Sequence, residues 1–144
     1  MISFSMQISV YTDGGSRGNP GISGFGIAVF DETNRLIYKN SKFIGIKTNN
    51  EAEYFALLEA LTWVHDHQNE FSSVKFYSDS QLLVRQLDGK YKVKAANIKP
   101  LYQSTISLIS SISIPTSFHE IDREENSLAD SLANLAMDKK HEIK

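Results

Sequence analysis

The sequence predicts one α/β domain, a mixed β-sheet carrying helices on its faces. Three observations predict it. Apolar periodicity switches between strand-like alternation and helical spacing, giving the order β-β-β-α-β-α-α-β-α. The three leading strands follow one another through short turns and so run antiparallel, whereas the later strands are reached through helices and so run parallel. The length, 144 residues with 41% hydrophobic and 22% charged side chains, suits a single buried core. The first strand should be central, because the later parallel strands need a buried neighbour.

Gln7 to Thr12 alternates polar and apolar residues and reads as the first strand. Asp13-Gly14-Gly15-Ser16-Arg17-Gly18-Asn19-Pro20-Gly21 is rich in glycine and reads as a tight structured loop. Gly24–Phe30 and Leu36–Ile44 form a hairpin about the turn Asp31-Glu32-Thr33-Asn34. Asn49 to about His67 is the clearest helix, with Ala52, Phe55, Ala56, Leu58, Ala60 and Trp63 at helical spacing. Val74–Tyr77 is a short strand. Ser78 or Asp79 can cap the helix that follows, and Gly89 stops that helix after Leu87. Ala95–Ile112 is helical, with Pro100 tolerable in a first turn. Ser117–Ile121 is the last strand, and a last helix runs from Asn126 or Ser127 to about Lys139, leaving residues from about 139 to 144 as a polar tail.

Several function classes drop out. There is no cysteine, which excludes disulfides and zinc–thiolate centres and fits a reducing compartment. Met1–Met6 has no basic region and no long apolar run, so neither a signal peptide nor a membrane span is expected. A cytoplasmic monomer without an obligatory protein partner is the expectation. The net charge of −2 runs against the basic balance of most nucleic-acid binders. Clustered carboxylates for a divalent metal would account for it, and local basic patches matter more than the sum.

Four carboxylates stand out by position. Asp13 ends the first strand, Glu53 lies one turn into the first long helix, Asp79 follows the fourth strand, and Asp130 begins the last helix. Strand ends and the starts of the following helices converge at one edge of an α/β sheet. Carboxylates gathered there repel one another unless a divalent ion neutralises them, and all-oxygen ligands favour Mg2+ or Mn2+ over zinc. Each also has a plain structural role available: Asp13 as a turn former, Asp79 as a helix cap, Glu53 as a solvated helix residue beside Glu51, Asp130 as a charge suited to a helix N-terminus.

Read together, the motifs resemble type 1 ribonuclease H over nearly the whole chain. Thr12-Asp13-Gly14-Gly15-Ser16-Arg17-Gly18-Asn19-Pro20-Gly21 matches that family's D-G-(G or S)-x-x-x-N-P-G segment. Thr48-Asn49-Asn50-Glu51-Ala52-Glu53 matches T-N-N-x-x-E, and Ser78-Asp79-Ser80 matches S/T-D-S. Arg123 to Ala133 matches R-x-x-N-x-x-A-D-x-L-A. The resemblance implies a five-stranded sheet in the order 3-2-1-4-5. It implies that Asp13, Glu53, Asp79 and Asp130 are catalytic metal ligands. It also implies hydrolysis of the RNA strand of an RNA–DNA hybrid by two Mg2+ ions, with Mn2+ as a substitute, leaving 5′-phosphate and 3′-hydroxyl ends. Gly14, Ser16, Asn19, Asn49, Asn50 and Gln81 match positions that read the RNA minor groove and its 2′-hydroxyls, and Thr48 matches one that grips a DNA phosphate. Asn19 is also a good turn residue before Pro20, and Asn49 or Asn50 a good helix cap.

Two departures from the family pattern matter. Many bacterial members carry a histidine in the loop before the last helix, where this chain has Ile121-Asp122-Arg123-Glu124-Glu125-Asn126. His119 falls within the expected last strand, so a structural role is expected for it, and Arg123 and Glu124 are the candidates to replace the loop histidine. His65 and His67 fall near the end of the first long helix, and His141 in the tail. The basic protrusion of the larger enzymes is reduced to Asp88–Lys94. There Lys90, Lys92 and Lys94 alternate and would share one side of an extended segment, either as a phosphate-contacting rail or as a solvated loop. The competing readings are a DNA-cleaving transposase or integrase core, which lacks the combined N-P-G and T-N-N motifs, and a non-catalytic nucleic-acid-binding module, which the four retained carboxylates disfavour.

Overall fold

The computed structural model describes residues 6–139. His141 and the outer part of the expected polar tail, like Met1–Ser5 of the N-terminal segment, lie outside the described residues. The elements are β1 (Gln7–Gly18), β2 (Gly21–Phe30), β3 (Leu36–Lys47), α1 (Asn49–His67), β4 (Ser73–Ser78), α2 (Gln81–Leu87), α3 (Lys99–Ser111), β5 (Thr116–Glu120) and α4 (Ser127–Asp138). Short 3-10 turns, Gln68–Glu70 and Arg123–Asn126, precede β4 and α4. The sheet order is β3-β2-β1-β4-β5, with β1 central. The pairs β1–β2 and β2–β3 are antiparallel, while β1–β4 and β4–β5 are parallel. The fold class, the strand order and the antiparallel-then-parallel sequence agree with expectation.

The glycine-rich segment is the main correction. It continues β1 instead of forming a loop: Asp13 pairs with Gly26, Gly14 with Phe25, and Gly18 with Gly21, leaving only Asn19-Pro20 as the turn. Glycine here serves close packing. A Cβ on Gly14 would lie 2.2 Å from the carbonyl carbon of Ala52 in α1. On the opposite face of the sheet, a Cβ on Gly26 would lie 2.2 Å from the carbonyl oxygen of Ala129 in α4. Bare backbone thus lets one helix descend onto each face.

Helix α1 begins where expected, but Thr48 is its cap. Thr48 accepts from the Glu51 N–H, and the Glu51 carboxylate accepts from the Thr48 N–H, a reciprocal pair that satisfies two otherwise orphaned donors. Ser80, not Ser78 or Asp79, caps α2 by accepting from Leu83 N–H. Helix α3 starts at Lys99, four residues later than expected, with Pro100 in its first turn, where a missing N–H costs nothing. The core lies between α1 and the sheet: Ile8, Val10, Phe25, Ile27, Val29, Val74 and Phe76 meet Tyr54, Leu57, Leu61 and Val64.

Gly26→Ala is expected to destabilise the protein by about 1–3 kcal/mol, because α4 must lift off the sheet. Gly45→Ala, at a φ of +83° with nothing within 4 Å of the new methyl, should cost only the left-handed conformation, about 1 kcal/mol. Denaturant midpoints of the two variants check this, and a smaller loss for Gly26→Ala would contradict the packing argument.

Candidate active site

The parallel pairing of β1 with β4 ends at Thr12 opposite Ser78. The next residue on each strand is an aspartate. Asp13 remains paired with β2 on its other side, and Asp79 turns out of the sheet toward α2. Glu53 reaches the same point from α1, because the descent of that helix onto Gly14 lets the Gly14 N–H donate to Glu53 Oε1 at 3.1 Å. One carboxylate oxygen from each of Asp13, Glu53 and Asp79 lies within 4.8 Å of the others. Asp13 and Glu53 are only 8% and 9% exposed.

Their environment opposes charge. Burial, then the neighbouring Asp79 and Asp130, push the Asp13 carboxyl up to about 8. Burial, then Asp13 and Asp79, hold Glu53 well above the carboxylate range, against the opposing pull of the Gly14 N–H and Arg123. Asp79 is raised by burial too, opposed by the nearby Arg123 and by the amide of Asn126. Among the described residues, Arg123 is the cation that acts on all three. An all-oxygen donor set that repels itself fits a hard divalent cation such as Mg2+ or Mn2+, which restores the balance that burial removes. The residues present therefore fit the metal that the sequence implied.

Asp130, in the first turn of α4, lies close enough to Asp13 to help raise its carboxyl but stands outside the compact triple. All four carboxylates line one open groove of about 590 Å3. Gly14, Ser16, Asn49 and Asn50 line it too; Asn19, Thr48 and Gln81 do not. Several of these groups are already engaged: Asn49 Oδ1 accepts from Ser16 N–H at 2.8 Å, and Asn19 Oδ1 accepts from Asn49 N–H at 2.9 Å. Ser16 Oγ hydrogen-bonds the Gly18 and Lys47 carbonyls. His119 lies inside β5, hydrogen-bonded to Ser117 and stacked on Tyr77 outside the groove, whereas Arg123 lines it. Lys90, Lys92 and Lys94 are exposed in the α2–α3 connection and border no part of this groove.

Sequence reading missed three residues here. Asn126, only 1% exposed, donates to the Thr12 carbonyl at 2.9 Å and so ties the entry to α4 to the strand end that carries Asp13. Its place in the R-x-x-N segment is a usable signal that also reads as a helix start. Arg17 and Asn134 line the groove and bond each other across 117 residues of chain, a contact with no local sequence signature.

The raised carboxyl of Asp13 sets a pH dependence for the metal-free protein. A carboxyl whose folded value lies above its unfolded value exerts no penalty below about 4 and a growing one as pH rises toward about 8. Asp13→Asn removes that penalty. The variant should gain stability relative to the parent between pH 5 and 8.5, reaching on the order of 2 kcal/mol. Denaturant midpoints in chelator measure it, and a difference that stays constant with pH would refute the repulsion.

Residues 11–136 match the family described as reverse transcriptase-like. The bifunctional protein Rv2228c of Mycobacterium tuberculosis is 36% identical over 92% of this chain, which spans 36% of that protein's length. Ribonuclease HI of Halobacterium salinarum is 32% identical, and its crystal structure superposes with a TM-score of 0.86 over 92% of this chain and 98% of that one. LC11-RNase H1, solved in complex with an RNA/DNA hybrid, is 39% identical with a TM-score of 0.86, covering 92% of this chain and 97% of its own. With four motifs, one strand order and these likenesses in agreement, the chain belongs to the type 1 ribonuclease H family.

Proposed function

We propose that this chain is an endoribonuclease that hydrolyses the RNA strand of RNA–DNA hybrids, leaving 5′-phosphate and 3′-hydroxyl ends. The observation that carries the reading is the convergence of Asp13, Glu53 and Asp79 oxygens within 4.8 Å on the wall of an open groove. Its place in the family and the hybrid held by the LC11 relative support the substrate class.

In this reading Asp13, Glu53, Asp79 and Asp130 hold two divalent cations, Mg2+ or in its place Mn2+. Bound there, such ions supply Lewis-acid polarisation of the scissile phosphate and a lowered pKa for the attacking water. The protein's own part is orientation. The Gly14 N–H fixes one oxygen of Glu53, Asn126 ties the start of α4 to the Thr12 carbonyl next to Asp13, and Arg123 offsets part of the site's negative charge at the groove. No side-chain nucleophile is required. Ser16, Asn49 and Asn50 on the groove wall, with exposed Gln81 and with Asn19 behind Asn49, supply backbone and small polar contacts for 2′-hydroxyls. Thr48 grips a DNA phosphate beside them while it caps α1. The chain acts as a single catalytic domain, a monomer in the cytoplasm. No described helix is long and apolar enough to cross a membrane.

Asp13→Asn and Asp79→Asn are each expected to reduce Mg2+-dependent cleavage of an end-labelled hybrid by at least about 1,000-fold while the circular dichroism spectrum is retained. Single-stranded RNA, duplex RNA and duplex DNA run beside the hybrid define the substrate. Unchanged cleavage by both variants would remove the metal assignment.

The α2–α3 connection extends the substrate-binding surface. Lys90 lies 4.0 Å from Asp88 and is partly neutralised, and Lys92 lines a separate groove of about 360 Å3 with Lys99 and Tyr102. Replacing Lys90, Lys92 and Lys94 with alanine should flatten the dependence of log K on log salt by roughly 0.7–0.9 for each phosphate no longer neutralised. Turnover at saturating hybrid should hold. Superimposable salt plots for parent and triple variant would reduce the segment to a solvated loop.

A further inference from the structure

We propose that Arg17 and Asn134 are positioning residues for Asp130, a polar relay from the β1–β2 hairpin tip that aims the fourth carboxylate into the groove. The inference rests on the metal-site reading above and deepens it.

Asp130 needs such a device more than its partners do. Asp13 is fixed by strand pairing, Glu53 by the Gly14 N–H, and Asp79 by its place at a strand end. Asp130 stands on a helix outside the compact triple. One turn further along α4, Asn134 donates through Nδ2 to the Asp130 carbonyl at 3.0 Å and to Asp130 Oδ1 at 3.4 Å. Asn134 Oδ1 accepts from Arg17 Nη2 at 3.2 Å, and Arg17 Nη1 pairs with Asp138 at 2.7 Å.

The donor and acceptor inventory makes this chain directional. A guanidinium has donors only, so the amide oxygen of Asn134 must face Arg17. The amide NH2 is thereby turned toward Asp130. Were the amide reversed, an oxygen would oppose the carboxylate and an NH2 would oppose the guanidinium. The fork of Arg17 holds two α4 side chains at once, which a lysine ammonium does not reproduce with the same geometry. The Arg17–Asp138 pair is well exposed, at 44% and 63%, so its direct contribution to stability is small. The effect of the relay is therefore local, on the orientation of one ligand.

Asn134→Leu separates orientation from structure. It keeps the size of the side chain and adds no charge to the carboxylate cluster, but it removes both the oxygen facing Arg17 and the NH2 facing Asp130. Arg17→Lys keeps the charge and loses the fork. The experiment titrates Mg2+ into parent, Asn134→Leu and Arg17→Lys, read by the rise in melting temperature and, separately, by cleavage of a labelled hybrid. The expected result is a Mg2+ midpoint raised about 10-fold in both readouts, with metal-free melting within a few degrees of the parent and hybrid affinity at saturating Ca2+ unchanged. Midpoints equal to the parent's would overturn the relay. So would a rate loss that follows melting temperature alone, or one that appears only as weaker hybrid binding, which would make Arg17 a phosphate contact. A parent that shows neither a Mg2+-dependent melting shift nor cleavage would instead overturn the metal-site reading itself.

Discussion

The approach of α1 to bare backbone at Gly14 is the constraint on which the site depends. With a Cβ there, the carbonyl carbon of Ala52 would be 2.2 Å away, so any larger residue must push the first turn of the helix outward. That turn carries Glu53. Moving it breaks the Gly14 N–H to Glu53 hydrogen bond and withdraws one of three carboxylates from the strand end. A packing requirement between helix and sheet and a chemical requirement for converging oxygens are met by the same glycine.

The other face repeats the device. Gly24 and Gly26 admit α4 so closely that added methyl groups would meet Ala136 and the Ala129 carbonyl. Asp13 shares that face with Gly26, its antiparallel partner, so the descent of α4 brings Asp130 toward Asp13. Two helices thus clamp a central strand from opposite sides, each delivering one carboxylate to its end. Burial then makes the cluster costly: Asp13, Glu53 and Asp79 are all pushed toward the neutral form. The core formed by α1 against the sheet provides the stability against which that cost is set.

Much of this is legible in the sequence, and the exceptions have physical causes. The nineteen residues of α1 are readable because apolar spacing over five turns outweighs local ambiguity. The carboxylates are readable because strand ends and helix starts share an edge in any α/β sheet. The run from Asp13 to Gly18 misleads, since glycine signals a turn when viewed alone and close packing only when the opposing helix is known. Thr48 and Ser80 take the capping roles expected of their neighbours, a shift of one or two residues that composition does not resolve. The Arg17–Asn134 contact is invisible for a different reason: it joins residues 117 apart, and neither one is unusual in its own segment.

The weakly acidic total also acquires a local meaning. The groove holds four carboxylates against Arg17 and Arg123, and setting all six aside leaves 13 basic and 13 acidic side chains, so the net charge of −2 is that of the groove itself. A phosphate entering the groove without cations would meet repulsion from carboxylates that Arg123 only partly offsets. In the proposed reading metal and phosphate favour each other's binding, since each supplies the charge that the other lacks. Linkage makes that coupling reciprocal, so a change that loosens a carboxylate would weaken substrate capture at limiting metal and leave it intact once the cations saturate the site.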